Sequence, residues 1–188
     1  MKTLPSAPAY ARWLALLRIL TGAAWIAHAL PKFLDSPSFM PPTGFIAKFV
    51  SEGAQHGSHA YQPFLANVVA PNIALFAELV RLGEMLTGIV LVLGIFTRFG
   101  GLVGMFLTLN YMAAKGPVVT SAQLASPDFA MFLLSAINLV LPTGRAFGLD
   151  ALLGRRSRSR VERVQAEFVP EPPLITPPPS DPTASTHS

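Results

Sequence analysis

No cysteine occurs in the 188 residues. The chain by itself therefore cannot relay electrons through a dithiol, attach a c-type haem or hold an iron–sulfur cluster. It also offers no disulfide framework from which a redox compartment could be read. Charge is scarce: Asp, Glu, Lys and Arg together make up 13%, against about 25% in an average soluble domain. So few charges cannot cover a water-facing surface, and the hydrophobic residues, 51% of the chain, fall in long blocks. Phosphate-binding glycine loops and nucleophile elbows are missing too. The formal charge of +4 is not spread as a nucleic-acid face. Arg155, Arg156, Arg158, Arg160 and Arg163 follow the last apolar block, where cations meet anionic lipid headgroups. The expected partner is the lipid bilayer, with no nucleic acid.

What is present is four apolar blocks, over residues 13–30, 73–96, 99–114 and 129–141. A spanning helix needs roughly 17–25 residues, so the first two suffice alone and the last two borrow flanking residues. The expected fold class is all-α: a transmembrane four-helix bundle. Residues 1–12 read as a cytoplasmic amino terminus and 13–153 as the membrane domain. Residues 154–188 read as a basic, then proline-rich, disordered cytoplasmic tail. The link at Thr97-Arg98 is short enough to make the second and third helices an antiparallel hairpin. Lys2, Arg12, Arg98 and Arg145 all fall on the side that the positive-inside rule assigns to the cytoplasm, which puts both termini there. Ala27-His28-Ala29 resembles a signal-peptide cleavage site, but Arg18 interrupts the apolar core, so a retained first span is expected. Lys32, after Pro31, is read as the start of the first outer loop. In that loop Phe45, Ile46, Phe49 and Val50 recur at helical spacing, with Lys48 and Glu52 on other faces. This predicts an amphipathic helix lying at the outer interface; a segment packed on the bundle is the alternative.

Polar groups at bilayer depth carry the functional information. A charge there costs about 2.5–3.5 kcal/mol on insertion scales, so it must face the bundle interior, pair, or do work. Glu78, Arg81 and Glu84 recur every third residue on the second helix, which puts Arg81 between the two carboxylates on one face. Arg18 and His28 lie on the first helix. Depth counting sets His28 near the level of Arg81 and lets Arg18 reach toward Glu84. Asn110 and Tyr111 fall in the outer half of the third helix, and Asn138 in the inner half of the fourth. Internal ion pairs that only pin helix register account for such residues equally well. The functional reading makes Glu84 and His28 a proton relay. Arg18, Arg81, Glu78, Trp25, Asn110 and Tyr111 then line a quinone site, although Trp25 and Tyr111 also suit ordinary packing. His56 and His59 supply only two local ligands, so no metal site is expected. Gly100 and Gly104 suit close helix packing, within the bundle or in a homo-oligomer.

Three segments resemble the DoxX/DoxD-like membrane proteins: LRILTGAAWIAHALPKFL from residue 17, EMLTGIVLVLGIFTR from residue 84, and GRAFGLD from residue 144. Ala29 and Pro31 depart from the family pattern. The resemblance implies a four-helix bundle in a bacterial inner (cytoplasmic) membrane. Some members of the family are subunits of thiosulfate:quinone oxidoreductase, and others associate with redox or stress-response partners. The leading expectation is a subunit or accessory of a quinone-linked membrane oxidoreductase, with partner subunits, no covalently bound cofactor, and quinone as its ligand. Any catalysis would then be that of a subunit. The rivals are a non-enzymatic membrane scaffold or assembly factor and a small-solute or proton pathway.

Overall fold

A computed structural model describes residues 9–141 and 143–145. The arginine run, the tail at 154–188 and the amino-terminal eight residues expected to be cytoplasmic lie outside the described residues. Every described segment of regular structure is helical. The helices are α1 (Ala9–Leu34), α2 (Ser36–Phe39), α3 (Phe45–His56), α4 (Gln62–Phe64), α5 (Ile73–Leu93), α6 (Thr97–Lys115), α7 (Ser121–Leu124) and α8 (Pro127–Val140). A π-helical turn at Leu65–Val69 and a 3₁₀ turn at Ala70–Asn72 lead into α5.

The four apolar blocks become α1, α5, α6 and α8. Helix α1 packs along α5, α5 along α6, and α6 along α8. The α5–α6 link is sharper and earlier than the sequence suggests. Gly94 ends α5 in the left-handed region with its N–H on the Val90 carbonyl, and Phe96 is also left-handed just before α6 begins. Glycine adopts that backbone without a Cβ penalty. Helix α1 is longer than its apolar block, because it runs through Pro31 to Leu34. Neighbouring helices let a membrane-type helix tolerate an internal proline. Lys32 is therefore a helical residue, which corrects its assignment to a loop.

Helix contacts are close where side chains are smallest. A Cβ on Gly22 would lie 2.8 Å from the Gly88 carbonyl oxygen and the Val92 nitrogen. A Cβ on Gly88 would lie 2.9 Å from the Gly22 oxygen and the Ile26 nitrogen. Each glycine thus faces one turn of the other helix, and the two contacts fix the α1–α5 register. On α6, Gly101 and Gly104 approach α8 at Leu139 and Ser135, while Gly100 faces Val90 and Leu91 of α5. The glycine face of α6 therefore packs inside the fold.

Helix α3 forms where its amphipathic pattern predicts. Its buried residues Ile46 and Val50 pack with Leu65, Val69, Ala77 and Ala114. Much of its apolar face thus lies on protein, as in the packed alternative, while Phe45 stays exposed. The Ser58 N–H donates to the Ala113 carbonyl at 2.8 Å and ties the end of this loop to α6.

Polarity is inverted relative to a water-soluble core. Arg18, Glu84, Thr87, Thr108, Ser135 and Asn138 are all buried. Leu75, Leu79, Leu82, Leu86 and Leu93 on α5 and Phe99, Leu102, Phe106 and Leu109 on α6 are exposed. Among the described residues one helix, Tyr10–Leu34, is long and apolar enough to cross a membrane by length and composition. Pro127–Val140 is a shorter apolar helix.

Candidate functional site

The Gly22–Gly88 contact sets which polar residues can meet. Continuing that register puts Glu84 level with His28. Arg18 is left level with Gly94, roughly 15 Å along the axis from Glu84 at 1.5 Å per residue. The expected reach of Arg18 toward Glu84 is thereby corrected, although Arg18 is buried, at 1% exposure.

Glu84 is fully buried, at 0% exposure, and three side chains converge on it. Lys32 extends from the last turn of α1 and donates to Oε2. The Tyr111 hydroxyl on α6 donates to Oε1 at 2.5 Å. His28 Nε2 lies 3.6 Å from the same oxygen, with 61% of the His28 side chain exposed. A carboxylate taken out of water needs both countercharge and hydrogen bonds, and Glu84 has them from two other helices. The Lys32 ammonium, 14% exposed, also lies over the rings of Phe39 at 5.2 Å and Tyr111 at 5.9 Å.

Two cavities meet at Tyr111. A small one of about 140 Å³ lies among α1, α6 and α8, lined by Trp25, His28, Thr108, Tyr111 and Asp128 among others. A larger one of about 320 Å³ lies among α3, the Leu65–Val69 turn, α5 and α6, with an almost wholly apolar wall. Its polar groups are Tyr61, Asn110 and Tyr111. The Tyr61 hydroxyl donates to Asn110 Oδ1, and Asn110 Nδ2 donates to the Phe106 carbonyl at 2.6 Å. Burial pushes the Tyr61 phenol above the usual tyrosine range.

Of the residues singled out in the sequence, Glu84, His28, Tyr111 and Trp25 gather around this centre. The Trp25 indole N–H is taken up by Ser135 Oγ at 3.3 Å, which ties α1 to α8. Asn110 lines the apolar cavity instead. Glu78 and Arg81 form a separate unit, which corrects the picture of an arginine shared between two carboxylates. The guanidinium grips Glu78 at 2.6 and 2.7 Å, reaches Ser36 Oγ at 3.3 Å, and stacks 4.9 Å over Phe33. Asn138 closes the end of α8, bonding the Leu134 carbonyl and accepting from the Thr143 hydroxyl. Sequence reading missed Lys32, Thr108, Asp128 and Tyr61. Lys32 had a usable signal, since it is four residues beyond His28 and so on the same helical face. Asp128 and Tyr61 sit beyond the apolar blocks, and only the tertiary fold brings them in. Among the described residues no three metal-binding side chains cluster.

A helical fold that turns charge inward and large apolar side chains outward defines the class of helical membrane-associated proteins. Within that class the chain belongs to the DoxD family: residues 13–169 match the family described as TQO small subunit DoxD. Nothing among curated proteins and nothing among solved structures matches it.

Proposed function

We propose that this chain is a four-span subunit of a quinone-linked oxidoreductase in a bacterial inner membrane, with Glu84 as its proton carrier. Helices α1, α5, α6 and α8 are the spans, both termini are cytoplasmic, and partner subunits supply the electron chemistry. Family membership supports a small-subunit role. The observation that carries the chemistry is the placement of Glu84: fully buried, yet one hydrogen bond from Tyr111, which borders both cavities.

Each residue has a distinct task in this reading. Glu84 holds the proton. Lys32 balances the carboxylate once the proton has left. His28, half in the open, exchanges protons with the outside through the small cavity. Tyr111 links Glu84 to whatever occupies the larger cavity. The apolar wall excludes water, which keeps proton transfer on these groups.

Binding of a decyl-tailed ubiquinone to the purified full chain tests this reading, with Glu84→Gln and His28→Ala as variants. Weakened binding in Glu84→Gln, with a changed pH profile in His28→Ala, is expected. Unchanged binding and an unchanged profile in both would remove these roles.

A further inference from the structure

The quinone-linked reading leaves open where a ring would bind. The seam between α1 and α5 is closed, because the Gly22–Gly88 contact brings backbone against backbone and leaves no space for a ring. The cavity between α5 and α6 is different. Its volume, about 320 Å³, lies at the lower end of ligand pockets, which run to roughly 300–1,000 Å³ and pair apolar walls with a few polar groups. Its rim includes Leu79 and Phe106, both exposed on the outward faces of the two helices. A chain entering between them comes from the apolar surroundings of the protein.

The polar end selects the ligand further. The Tyr111 hydroxyl donates to Glu84 Oε1, while Lys32 takes up Oε2, so the Tyr111 proton is spent on Glu84 and its oxygen is left as an acceptor. Asn110 points its amide N–H₂ at the Phe106 carbonyl, so its oxygen faces Tyr61, and the Tyr61 proton is spent there. Two tyrosines whose phenol oxygens keep acceptor capacity therefore line an otherwise apolar chamber. Such a chamber suits a neutral aromatic ring that brings its own hydroxyl donors and carries an apolar tail.

We propose that the α3–α5–α6 cavity is a binding site for an isoprenoid hydroquinone, the reduced form of the ligand. Its ring hydroxyls, one proton each, donate to the phenol oxygens of Tyr111 and Tyr61, and its tail leaves between Leu79 and Phe106. Helix α3 roofs the ring through Phe49 and Val50. The proposal rests on the quinone-linked reading and assigns its ligand to the larger cavity rather than to the polar pocket at His28.

Gly83 gives a clean test. It lines the cavity, and a Cβ built on it stands 3.5 Å from Leu107, an ordinary contact. The Cβ is therefore accommodated, and the remaining carbons of Gly83→Leu project into space that the ligand would occupy. Ala24→Leu fills the small polar cavity instead. The probe is decylubiquinol, titrated into the purified full chain, with thermal unfolding to show that each variant is folded. The expected result is a loss of affinity of about tenfold or more in Gly83→Leu, equivalent to about 1.4 kcal/mol, with little change in Ala24→Leu. Decylubiquinone should bind more weakly than decylubiquinol to the unaltered chain. Loss in Ala24→Leu alone would overturn the assignment to this cavity while leaving the quinone-linked reading intact. Equal affinity for the two redox forms would overturn the choice of the reduced form. Absence of binding to the unaltered chain would overturn both the site and the reading. If Gly83→Leu fails to fold, Val103→Phe on the same wall replaces it, with the same expected loss.

Discussion

The Lys32–Glu84 pair gives the sharpest prediction, because the two partners have different alternatives. Glu84→Gln keeps the shape and a hydrogen-bond acceptor for Tyr111 but removes the charge. Lys32 is then a cation with 14% exposure and no carboxylate beside it. Removing one partner of a buried ion pair costs about 3–5 kcal/mol. Two features move the estimate toward the low end. The ammonium keeps some solvent contact, and it faces the rings of Phe39 and Tyr111, contacts worth about 0.5–2 kcal/mol. About 3 kcal/mol is expected for Glu84→Gln, a drop in Tm of roughly 6–12 °C for a domain of this size. Lys32→Met strands the carboxylate instead. That carboxylate is completely buried, so this single change should cost at least as much. The double variant Lys32→Met/Glu84→Gln removes both charges and should be close to the unaltered chain in stability, since apolar replacement of a whole buried pair is often neutral.

The assay is thermal or denaturant unfolding of the four proteins of this cycle in one mild detergent at one salt concentration. Two singles of about 3 kcal/mol each and a near-neutral double give an expected coupling energy of about 6 kcal/mol, above the usual range for directly contacting residues because each single change leaves a charge without its partner. A double variant as unstable as the sum of the singles would refute the reasoning, because the charges would then be solvated independently. The same cycle bears on function. Glu84→Gln mimics the protonated carboxylate, so its cost measures what a proton on Glu84 does to Lys32. A proton carrier with no such cost would have no reason to release its proton.

Two further predictions are independent of that pair. Gly88→Ala would bring a Cβ to 2.6 Å from the Ile26 side chain and 2.9 Å from backbone atoms of Gly22 and Ile26; the backbone cannot yield, so a loss of about 1–3 kcal/mol is expected, whereas Gly83→Ala should be near neutral, and equal Tm values for the two would contradict the close α1–α5 crossing. Burial raises the Tyr61 phenol above its usual range; the unfolded chain ionises it near pH ~10, so its contribution is whole below that, falls as pH rises further and is lost as pH passes through the raised folded value, and Tyr61→Phe should flatten the alkaline fall in stability, which a pH series of unfolding curves would detect.

Much of the fold was legible because bilayer-scale apolar blocks leave few alternatives. The 73–96 block begins where α5 begins, at Ile73, and the hairpin into α6 follows from a link too short for anything else. Membership of the buried set was legible for the same energetic reason: Arg18, Trp25 and Glu84 all turn inward. Pro31 was misleading. A proline read along a chain suggests a stop, yet here the helix continues and carries Lys32 to Glu84. Tyr61, in a loop, and Asp128, in the first turn of α8 just ahead of its apolar block, gave no signal at all. Their roles come from α3 and α7 folding back on the long helices, and no periodicity records such contacts.

Pairing was harder to read than membership, and the reason is a matter of scale. Counting from block centres locates a residue along a helix to within about one turn, or 5.4 Å. A hydrogen bond is decided within a few tenths of an ångström of about 2.9 Å. Depth counting therefore set His28 within about one turn of its true level on α5 but could not say which residues touch. The Gly22–Gly88 crossing removes that freedom. With it in place, Glu84 lies opposite His28, Lys32 is one turn beyond and long enough to reach back, and Arg18 is too far away. Both glycines were visible in the segments that resemble the family. Small residues facing each other on adjacent helices are a register mark, and read as such they would have assigned Glu84 to His28 and Lys32 without coordinates.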